Sequence, residues 1–316
     1  MMSSDFLQYA LAKGVGEISL KKAVSFIEQN NLSWKELVSN PELLISLGIK
    51  IDVIERINNN RAKAEKLYDE LCDKGIEILI ENESRYPKYL RKMLGDKCPA
   101  MLFAVGNMDI LNSVSVGFCG SRKASEKGIS IASDCAKQLV EANVTVVSGY
   151  ASGTDLAAHR AALKNGGNTV FVLAEGILKK IIKADVRDYL DSHNHVFISQ
   201  FAPNMTWNAG NAMHRNSVII GLSRAMILVE SGRTGGTFAA GEESLRVGCP
   251  LFVIDFAQPD VSAEANPYFI SAGGMPIRGK NGIPNISKVL DVVKKDARLG
   301  SKSIQGNIEE QIRFDS

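Results

Sequence analysis

Apolar residues recur with two different periods along the chain. From residue 5 to about residue 76 they recur at helical spacing, in short segments that glycine and asparagine interrupt. From Val114 onward, short runs rich in β-branched residues alternate with segments of helical composition. The runs are Val114–Cys119, Val144–Val147, Thr169–Leu173, His195–Ser199, Ala225–Val229 and Leu251–Ile254. The change of period predicts a helical domain followed by an α/β domain.

The predicted domain boundaries follow this change. Residues 1–76 are expected to form the helical N-terminal domain and residues 77–295 the α/β domain, which turns irregular after Ile254 before one last helix over Ile286–Lys294. Residues 296–316 contain few apolar residues, and we expect them to form a flexible tail. The helical bundle with its glycine turns resembles SAM or helix-hairpin-helix modules. Its charges roughly balance, and both a packing domain and a DNA-binding domain remain open.

Strands that alternate with helices at this spacing imply right-handed βαβ crossovers and a doubly wound, mostly parallel sheet. Such sheets bind ligands outside the carboxyl ends of their strands. Glycine-containing turns follow four of the predicted strands, at Gly120-Ser121-Arg122, at Ser148-Gly149, at Ala174-Glu175-Gly176 and at Arg233-Thr234-Gly235-Gly236-Thr237. A turn that opens a helix directs backbone N–H groups and the positive end of the helix dipole toward a ligand. A phosphate group suits that position.

Arginine side chains add positive charge close to these turns. The guanidinium groups of Arg122 and Arg215 can each grip a phosphate through two hydrogen bonds. We assign Arg224 to a structural role, for example an ion pair with Glu230 or Glu243. The sequence therefore predicts a site with several anion-binding groups at one edge of the sheet.

Asp155 and His159 lie four residues apart and share one face of the predicted helix that begins near Gly153. They flank the phosphate pocket, or Asp155 serves the helix N-terminus while His159 bonds to neighbouring loops. Together with His214 and Glu230 they match no metal-ligand spacing, and the five cysteines form no CxxC pair. We expect neither a metal site nor a disulfide framework.

Two familiar phosphate-binding fingerprints are missing. The dinucleotide fingerprint needs G-x-G-x-x-G after the first strand and an acidic residue at the end of the second, but this chain has Gly117-x-x-Gly120 and then Ser148-Gly149. No GxxxxGK[ST] motif occurs either. We therefore expect no nicotinamide cofactor, no ATP hydrolysis and no other cofactor.

The composition and net charge restrict the kinds of partner that the chain can bind. The 316 residues carry a formal net charge of +2, and 23% of them are charged. A global attraction to polyanions is absent, and any nucleic acid must bind to a local basic patch. The N-terminus lacks a basic flank and an apolar core, and no apolar run approaches ~18 residues. We expect a cytoplasmic protein without a membrane partner.

The ordered motifs of the chain resemble those of the DprA/Smf DNA-processing family over roughly residues 5–295. The similar motifs are Tyr86-Pro87-x-x-Leu90, Pro99-x-x-Leu102-Phe103-x-x-Gly106-Asn107, Gly120-Ser121-Arg122, Ser148-Gly149-x-Ala151-x-Gly153-x-Asp155-x-x-Ala158-His159, Gly166-Gly167-x-Thr169, Arg215-Asn216-x-x-Ile219-x-Gly221-Leu222-Ser223 and Ser271-Ala272-Gly273-Gly274.

The resemblance implies an extended Rossmann-like fold and a homodimer that binds single-stranded DNA. It also implies that the protein protects incoming DNA and loads the RecA recombinase during natural transformation and recombination, without catalysis. The residues that we expect to bind DNA phosphates are Gly120, Ser121, Arg122, Lys123, Ser148, Gly149, Gly153, Asp155, His159, Arg215, Asn216, Arg233, Thr234, Gly235, Gly236 and Thr237.

The chain departs from the family pattern in several places. Lys179-Lys180-Ile181 stands where a Tyr-Pro pair is usual, the Arg233 turn differs, and we expect the chain to lack the C-terminal winged-helix domain of many members. The Gly-Gly-Thr turn is similar to that of LOG-type phosphoribohydrolases. Their motif needs a glutamate where this chain has Ala240, and Glu242 and Glu243 are out of register. A nucleotide-binding or nucleotide-cleaving protein is the alternative.

Overall fold

The computed structural model describes residues 3–295, which divide into two units. The predicted tail over 296–316 lies outside the described residues. The first unit comprises residues 3–86 and 97–105, and the second comprises residues 87–96 and 106–295. The sequence prediction started the α/β domain at residue 77, whereas this division leaves the first two strands with the N-terminal helices. None of the described helices is long and apolar enough to cross a membrane.

Six helices and an antiparallel strand pair build the first unit. They are α1 (Ser4–Ala10), α2 (Glu17–Gln29), α3 (Trp34–Ser39), α4 (Pro41–Ser46), α5 (Ile51–Asn59), α6 (Arg61–Asp73), β1 (Glu77–Ile80) and β2 (Met101–Gly106). Polar side chains cap the N-termini of two of these helices. The Ser33 hydroxyl accepts from the Glu36 N–H and so caps α3, while the Asn40 side chain caps α4 ahead of Pro41.

The second unit alternates strands and helices along the chain. Its elements are α7 (Lys88–Leu94), β3 (Ser115–Cys119), α8 (Glu126–Glu141), β4 (Thr145–Ser148), α9 (Thr154–Lys164), β5 (Thr169–Val172), α10 (Ala184–Arg187), β6 (His195–Ser199), α11 (Ala209–Leu222), β7 (Met226–Leu228), α12 (Gly236–Arg246), β8 (Leu251–Ile254), α13 (Asn266–Ser271), β9 (Met275–Ile277), β10 (Gly279–Lys280) and β11 (Ile283–Pro284). Residues 287–295 are also helical.

Seven of these strands form a parallel sheet in the order β6-β5-β4-β3-β7-β8-β9. Each of the six runs predicted from the β-rich pattern forms one of its strands, and the prediction of a Rossmann-like, mostly parallel sheet behind a helical region is confirmed. The strand β9 was not predicted. It pairs with β8 at the sheet edge and contains Pro276, which an edge strand tolerates.

Alternate residues of β3 face different helices, and this covers the sheet on both sides. Val116 and Phe118 are fully buried in a cluster with apolar residues of α8 and α9. On the other face, the Ser115 hydroxyl donates to the carbonyl of Leu222 at the end of α11. Burial of each large apolar side chain contributes about 1.5–3 kcal/mol. The two helical layers therefore bury both faces of β3 at the centre of the sheet.

The chain order creates a switch point beside β3. From β3 the chain moves through β4 and β5 to β6 on one side, and then returns to place β7 on the other side. The loops that follow β3 and β7 consequently leave the sheet in opposite directions. A crevice opens between them at the carboxyl ends of the strands, where doubly wound sheets bind their ligands.

Candidate functional site

A pocket of about 370 Å³ occupies the crevice at the switch point. Nine of the predicted site residues line it: Gly120, Ser121, Arg122, Asp155, Arg215, Asn216, Thr234, Gly236 and Thr237. Its floor is apolar, with contributions from Phe118, Met226 and Ala240. The turns after β3 and β7, which are about 110 residues apart in the chain, thus meet in one site.

Arg215 is the most unusual side chain in this pocket. It lies on α11, is only 6% exposed, and its Nη1 is 4.0 Å from Oδ2 of Asp155. Within the described part of the chain, its Nε and Nη1 atoms are buried and have no hydrogen-bond partner. Burial lowers the pKa of Arg215, and the carboxylates of Asp155 and Glu175 oppose that shift. A buried guanidinium with unused donors is costly until an acceptor reaches it.

The backbone at Gly149 is shaped around this guanidinium. A Cβ atom at residue 149 would overlap Nη1 and Cζ of Arg215, and glycine alone permits so close an approach. Ser148 and Gly149 therefore do not line the pocket as predicted but lie behind it. Their contribution is to hold Arg215 and its partner in place.

Asp155 balances the buried cation. Its Oδ1 accepts from the Ser148 hydroxyl at 2.9 Å, and its Oδ2 accepts from the Ala151 N–H at 3.3 Å. Burial raises the pKa of Asp155, while Arg215 and these two hydrogen bonds oppose the rise. The carboxylate thus provides a negative charge beside the guanidinium on the buried side of the pocket.

His159 is fully buried and does not line the pocket. Its Nε2 donates to the Gly149 carbonyl at 2.5 Å, and its Nδ1 lies 2.6 Å from the Thr169 hydroxyl oxygen, whose proton is directed to the Val146 carbonyl at 3.0 Å. Burial lowers its pKa to about 3, and the imidazole is neutral at pH 7. Of the two roles considered from sequence, the geometry matches the one in which His159 bonds to neighbouring loops.

The turn after β3 brings a second cation to the site. Arg122 is exposed, and its guanidinium lies over the indole of Trp207, 5.1 Å from the ring centroid. Lys123 is exposed, and its backbone N–H donates to the Ser121 hydroxyl at 3.1 Å. Its side chain does not line the pocket.

Two helices begin at the site without a side-chain cap. Gly153 and Gly235 occupy the N-cap positions of α9 and α12 with φ of +77° and +94°, and neither position provides a capping side chain. Gly236 and Thr237 at the start of α12 line the pocket, and the first N–H groups of a helix have no partner within the helix. Asn216 donates to the Gly236 carbonyl at 3.0 Å and anchors this turn.

Arg233 stands apart from the other predicted arginines. It is exposed, and its Nε lies 3.5 Å from Oε2 of Glu264. Its side chain does not line the pocket. Arg224 lies over the Tyr89 ring at 3.4 Å, and Glu230 accepts from the Ser125 N–H at 2.9 Å and supports the start of α8.

A second pocket of about 200 Å³ adjoins the first and shares Arg122, Ala151 and Arg215 with it. We call the two pockets together the phosphate groove. Tyr150, Lys183 and Trp207 line only the second pocket, and none of the three is among the site residues predicted from the sequence. The Lys183 ammonium donates to the Tyr150 carbonyl, and burial lowers its pKa. The three lysines within residues 179–183 were a signal that could have drawn attention to this segment.

Comparison with known proteins assigns the chain to a family. The sequence profile of the family described as DNA recombination-mediator protein A matches residues 77–284, a range that includes the phosphate groove. The chain belongs to this family. The resemblance to the DprA/Smf proteins stated from the motifs is thereby confirmed.

Curated relatives carry the DprA and Smf names. The chain is 32% identical to the DNA processing protein DprA of Streptococcus pneumoniae over 177 residues, which cover 55% of this chain and 62% of that protein. It is 28% identical to Protein Smf of Synechocystis over 265 residues, which cover 81% of this chain and 65% of that protein. The matches thus span somewhat less than two thirds of these relatives.

Solved structures share the fold of the family. The X-ray structure of DprA from Streptococcus pneumoniae superimposes with a TM-score of 0.70 at 23% identity, covering 89% of this chain and 97% of that one. The structure of DNA processing protein A from Helicobacter pylori, described in terms of a unique single-stranded DNA binding mode, gives a TM-score of 0.58 at 22% identity. It covers 70% of this chain and 96% of the other. At these identities the likeness concerns the fold.

Proposed function

We propose that the chain binds single-stranded DNA through the phosphate groove. The observation that carries this proposal is Arg215, a buried cation that lines both pockets and has two nitrogens without a hydrogen-bond partner among the described residues. An anionic oxygen in the groove would pair with this cation. The comparisons with known proteins support the proposal in two ways. The family is described as a DNA recombination mediator, and the Helicobacter pylori relative is described as binding single-stranded DNA.

The mechanism we infer is a series of phosphate contacts. Arg215 and Arg122 hold neighbouring phosphates, and the open N-terminus of α12 receives another through its N–H groups and Thr237. These groups contact the DNA backbone rather than base edges. The proposed binding is therefore independent of base sequence.

The groove offers less support for a nucleotide-cleaving enzyme. The pocket wall carries Ala240 where a phosphoribohydrolase needs its glutamate, and neither Glu242 nor Glu243 lines the pocket. Glu243 is engaged with Arg246, and Glu242 accepts from the Tyr268 hydroxyl at 3.4 Å. We propose a binding protein that carries out no catalysis and needs no cofactor.

The family relationship extends the proposal to partners. We propose that the protein acts as a homodimer in the cytoplasm, protects incoming single strands and loads RecA onto them during transformation and recombination. RecA loading is tested by RecA-dependent ATP hydrolysis on single strands covered by a single-strand-binding protein, with and without the chain. Unchanged RecA kinetics would remove this part of the proposal and leave DNA binding standing.

The DNA-binding proposal is tested by fluorescence anisotropy with a labelled oligothymidylate across a series of salt concentrations. The logarithm of the affinity should fall with the logarithm of the salt concentration, by about 0.7 for each phosphate neutralised. The variants Arg122→Ala and Arg215→Met should each weaken binding and reduce that slope by about 0.7. The exposed Arg160 on α9 lies outside both pockets, and Arg160→Ala is the charge-matched control.

Two outcomes would contradict the proposal. One is an affinity that does not change with salt. The other is wild-type affinity in a folded protein that carries both the Arg122 and the Arg215 substitutions. Release of a free base from a nucleoside monophosphate would instead favour the enzyme alternative, and Glu242→Gln and Glu243→Gln test whether either carboxylate is responsible.

A further inference from the structure

An exposed tryptophan stands at the edge of the phosphate groove. Trp207 lies in the segment that leads from β6 into α11, and its side chain is 49% exposed. Tryptophan has a large apolar surface, and exposure of half of it is unfavourable in water unless a partner covers it. The ring lines the second pocket together with Arg122, Lys183 and Arg215.

The position of Arg122 indicates which partner suits this ring. Its guanidinium covers part of the indole at 5.1 Å from the centroid, in a cation–π contact. The pocket thus has three cationic residues, the two aromatic residues Trp207 and Tyr150, and one carboxylate, Glu175. The cations outnumber the carboxylate and favour an anionic ligand, and the exposed indole favours a flat unsaturated one. A nucleotide unit of a DNA strand has both parts, a phosphate and a base with two π-faces.

We propose that Trp207 is a stacking platform for an unpaired nucleobase, and that it provides the preference of this groove for single strands over duplex DNA. The inference rests on the proposed function, because the phosphate contacts of Arg122 and Arg215 bring the base within reach. In a duplex, each base is covered on both faces by its neighbours and its edge is paired. A base can lie on Trp207 only after it leaves the stack, at a cost that a single strand avoids.

If the base stacks on Trp207, removal of the indole should reduce the affinity only for oligonucleotides that carry bases. The experiment compares wild type, Trp207→Ala and Trp207→Phe on two oligonucleotides of equal length and charge, an oligothymidylate and an abasic tetrahydrofuran analogue. We expect Trp207→Ala to weaken binding of the oligothymidylate by about 5- to 150-fold and binding of the abasic analogue by less than about 2-fold. Trp207→Phe should retain most of the affinity, because its ring still offers a π-face.

Duplex DNA and intrinsic fluorescence give two further measurements. The preference of wild type for single strands over duplex should shrink in Trp207→Ala by the same factor as the oligothymidylate affinity. The chain contains two tryptophans, and Trp34 packs edge-on against Phe6 at 5.0 Å within the first unit. In a Trp34→Phe background, we expect the fluorescence of Trp207 to be quenched by the oligothymidylate and to change much less with the abasic analogue.

The outcomes separate this inference from the proposed function. If Trp207→Ala weakens binding of both oligonucleotides by the same factor, the ring only positions Arg122. The stacking inference is then overturned, while the proposal of DNA binding stands. If Trp207→Ala binds the oligothymidylate as wild type does, stacking is overturned as well, and a protein partner or a second copy of the chain would explain the exposed ring. If wild type binds neither oligonucleotide, the proposed function and this inference are both overturned.

Discussion

Replacement of His159 by glutamine tests the support behind the phosphate groove. His159 holds the Gly149 carbonyl through Nε2, and Gly149 in turn packs against Arg215. The histidine is fully buried, and burial lowers its pKa to about 3. The folded protein therefore keeps this imidazole neutral over a pH range in which the unfolded chain protonates it.

The sign and size of the effect follow from that difference in pKa. In the unfolded chain, a histidine has a pKa of about 6.5, and between about pH 6.5 and pH 3 only the unfolded state binds the additional proton. The free energy of unfolding consequently falls as the pH falls, by up to about 1.4 kcal/mol per pH unit. Between pH 7 and pH 4.5 the contribution of His159 amounts to about 2.5 kcal/mol.

Urea denaturation at pH 7, 6, 5 and 4.5 measures this contribution in wild type and His159→Gln. The variant should be less stable at pH 7, by about 1–3 kcal/mol, because two buried hydrogen bonds change. Its stability should then depend less on pH, and the gap to wild type should shift by about 2.5 kcal/mol in favour of the variant at pH 4.5. The carboxylates titrate in both proteins and cancel in the difference.

The exposed His193 provides the matched control, because His193→Gln makes the same substitution at a surface position. A gap between wild type and His159→Gln that is constant from pH 7 to pH 4.5 would refute the reasoning. It would mean that the folded protein accepts a proton at residue 159 as readily as the unfolded chain does.

Two further predictions concern the partners of the buried guanidinium. Gly149→Ala places a methyl group where the guanidinium of Arg215 lies. In the anisotropy assay, we expect this variant to bind single-stranded DNA about tenfold more weakly or worse. Unchanged affinity would contradict the packing role of Gly149. Arg215→Met leaves Asp155 buried without its cation, and addition of Asp155→Asn should restore about 1–3 kcal/mol of stability by urea denaturation at pH 7; a double variant no more stable than Arg215→Met would contradict the charge balance.

The strands of the sheet were predictable because their signal is local. Each run from Val114 to Ile254 concentrates β-branched and apolar residues over four to six positions, which suits a strand buried on both faces. The strand β9 lacks such a signal. Its Met-Pro-Ile sequence has low strand propensity, and its conformation depends on parallel pairing with β8, a contact that no local window contains.

The site was predictable where a turn determines the direction of backbone groups. The turns after β3 and β7 line one pocket as expected, because the carboxyl ends of neighbouring parallel strands meet at one edge of the sheet. Tyr150, Lys183 and Trp207 are not among the predicted site residues. They come from three separate loops, and only the fold determines that these loops cover the same pocket.

Arg215 and Arg233 show what the sequence pattern cannot separate. Both were predicted to bind phosphate on the same grounds, a cation beside a helix near a strand end. In the structure, Arg233 is exposed and paired with Glu264, whereas Arg215 is 6% exposed and has two nitrogens without a partner among the described residues. Solvent and the Glu264 carboxylate already satisfy the charge of Arg233, and a contact with a phosphate would therefore add little binding free energy. Arg215 is buried with Asp155 4.0 Å away as its ion-pair partner, and a phosphate in the groove would give this cation a second anionic partner. The proposed DNA contact therefore depends on the buried arginine more than on the exposed one.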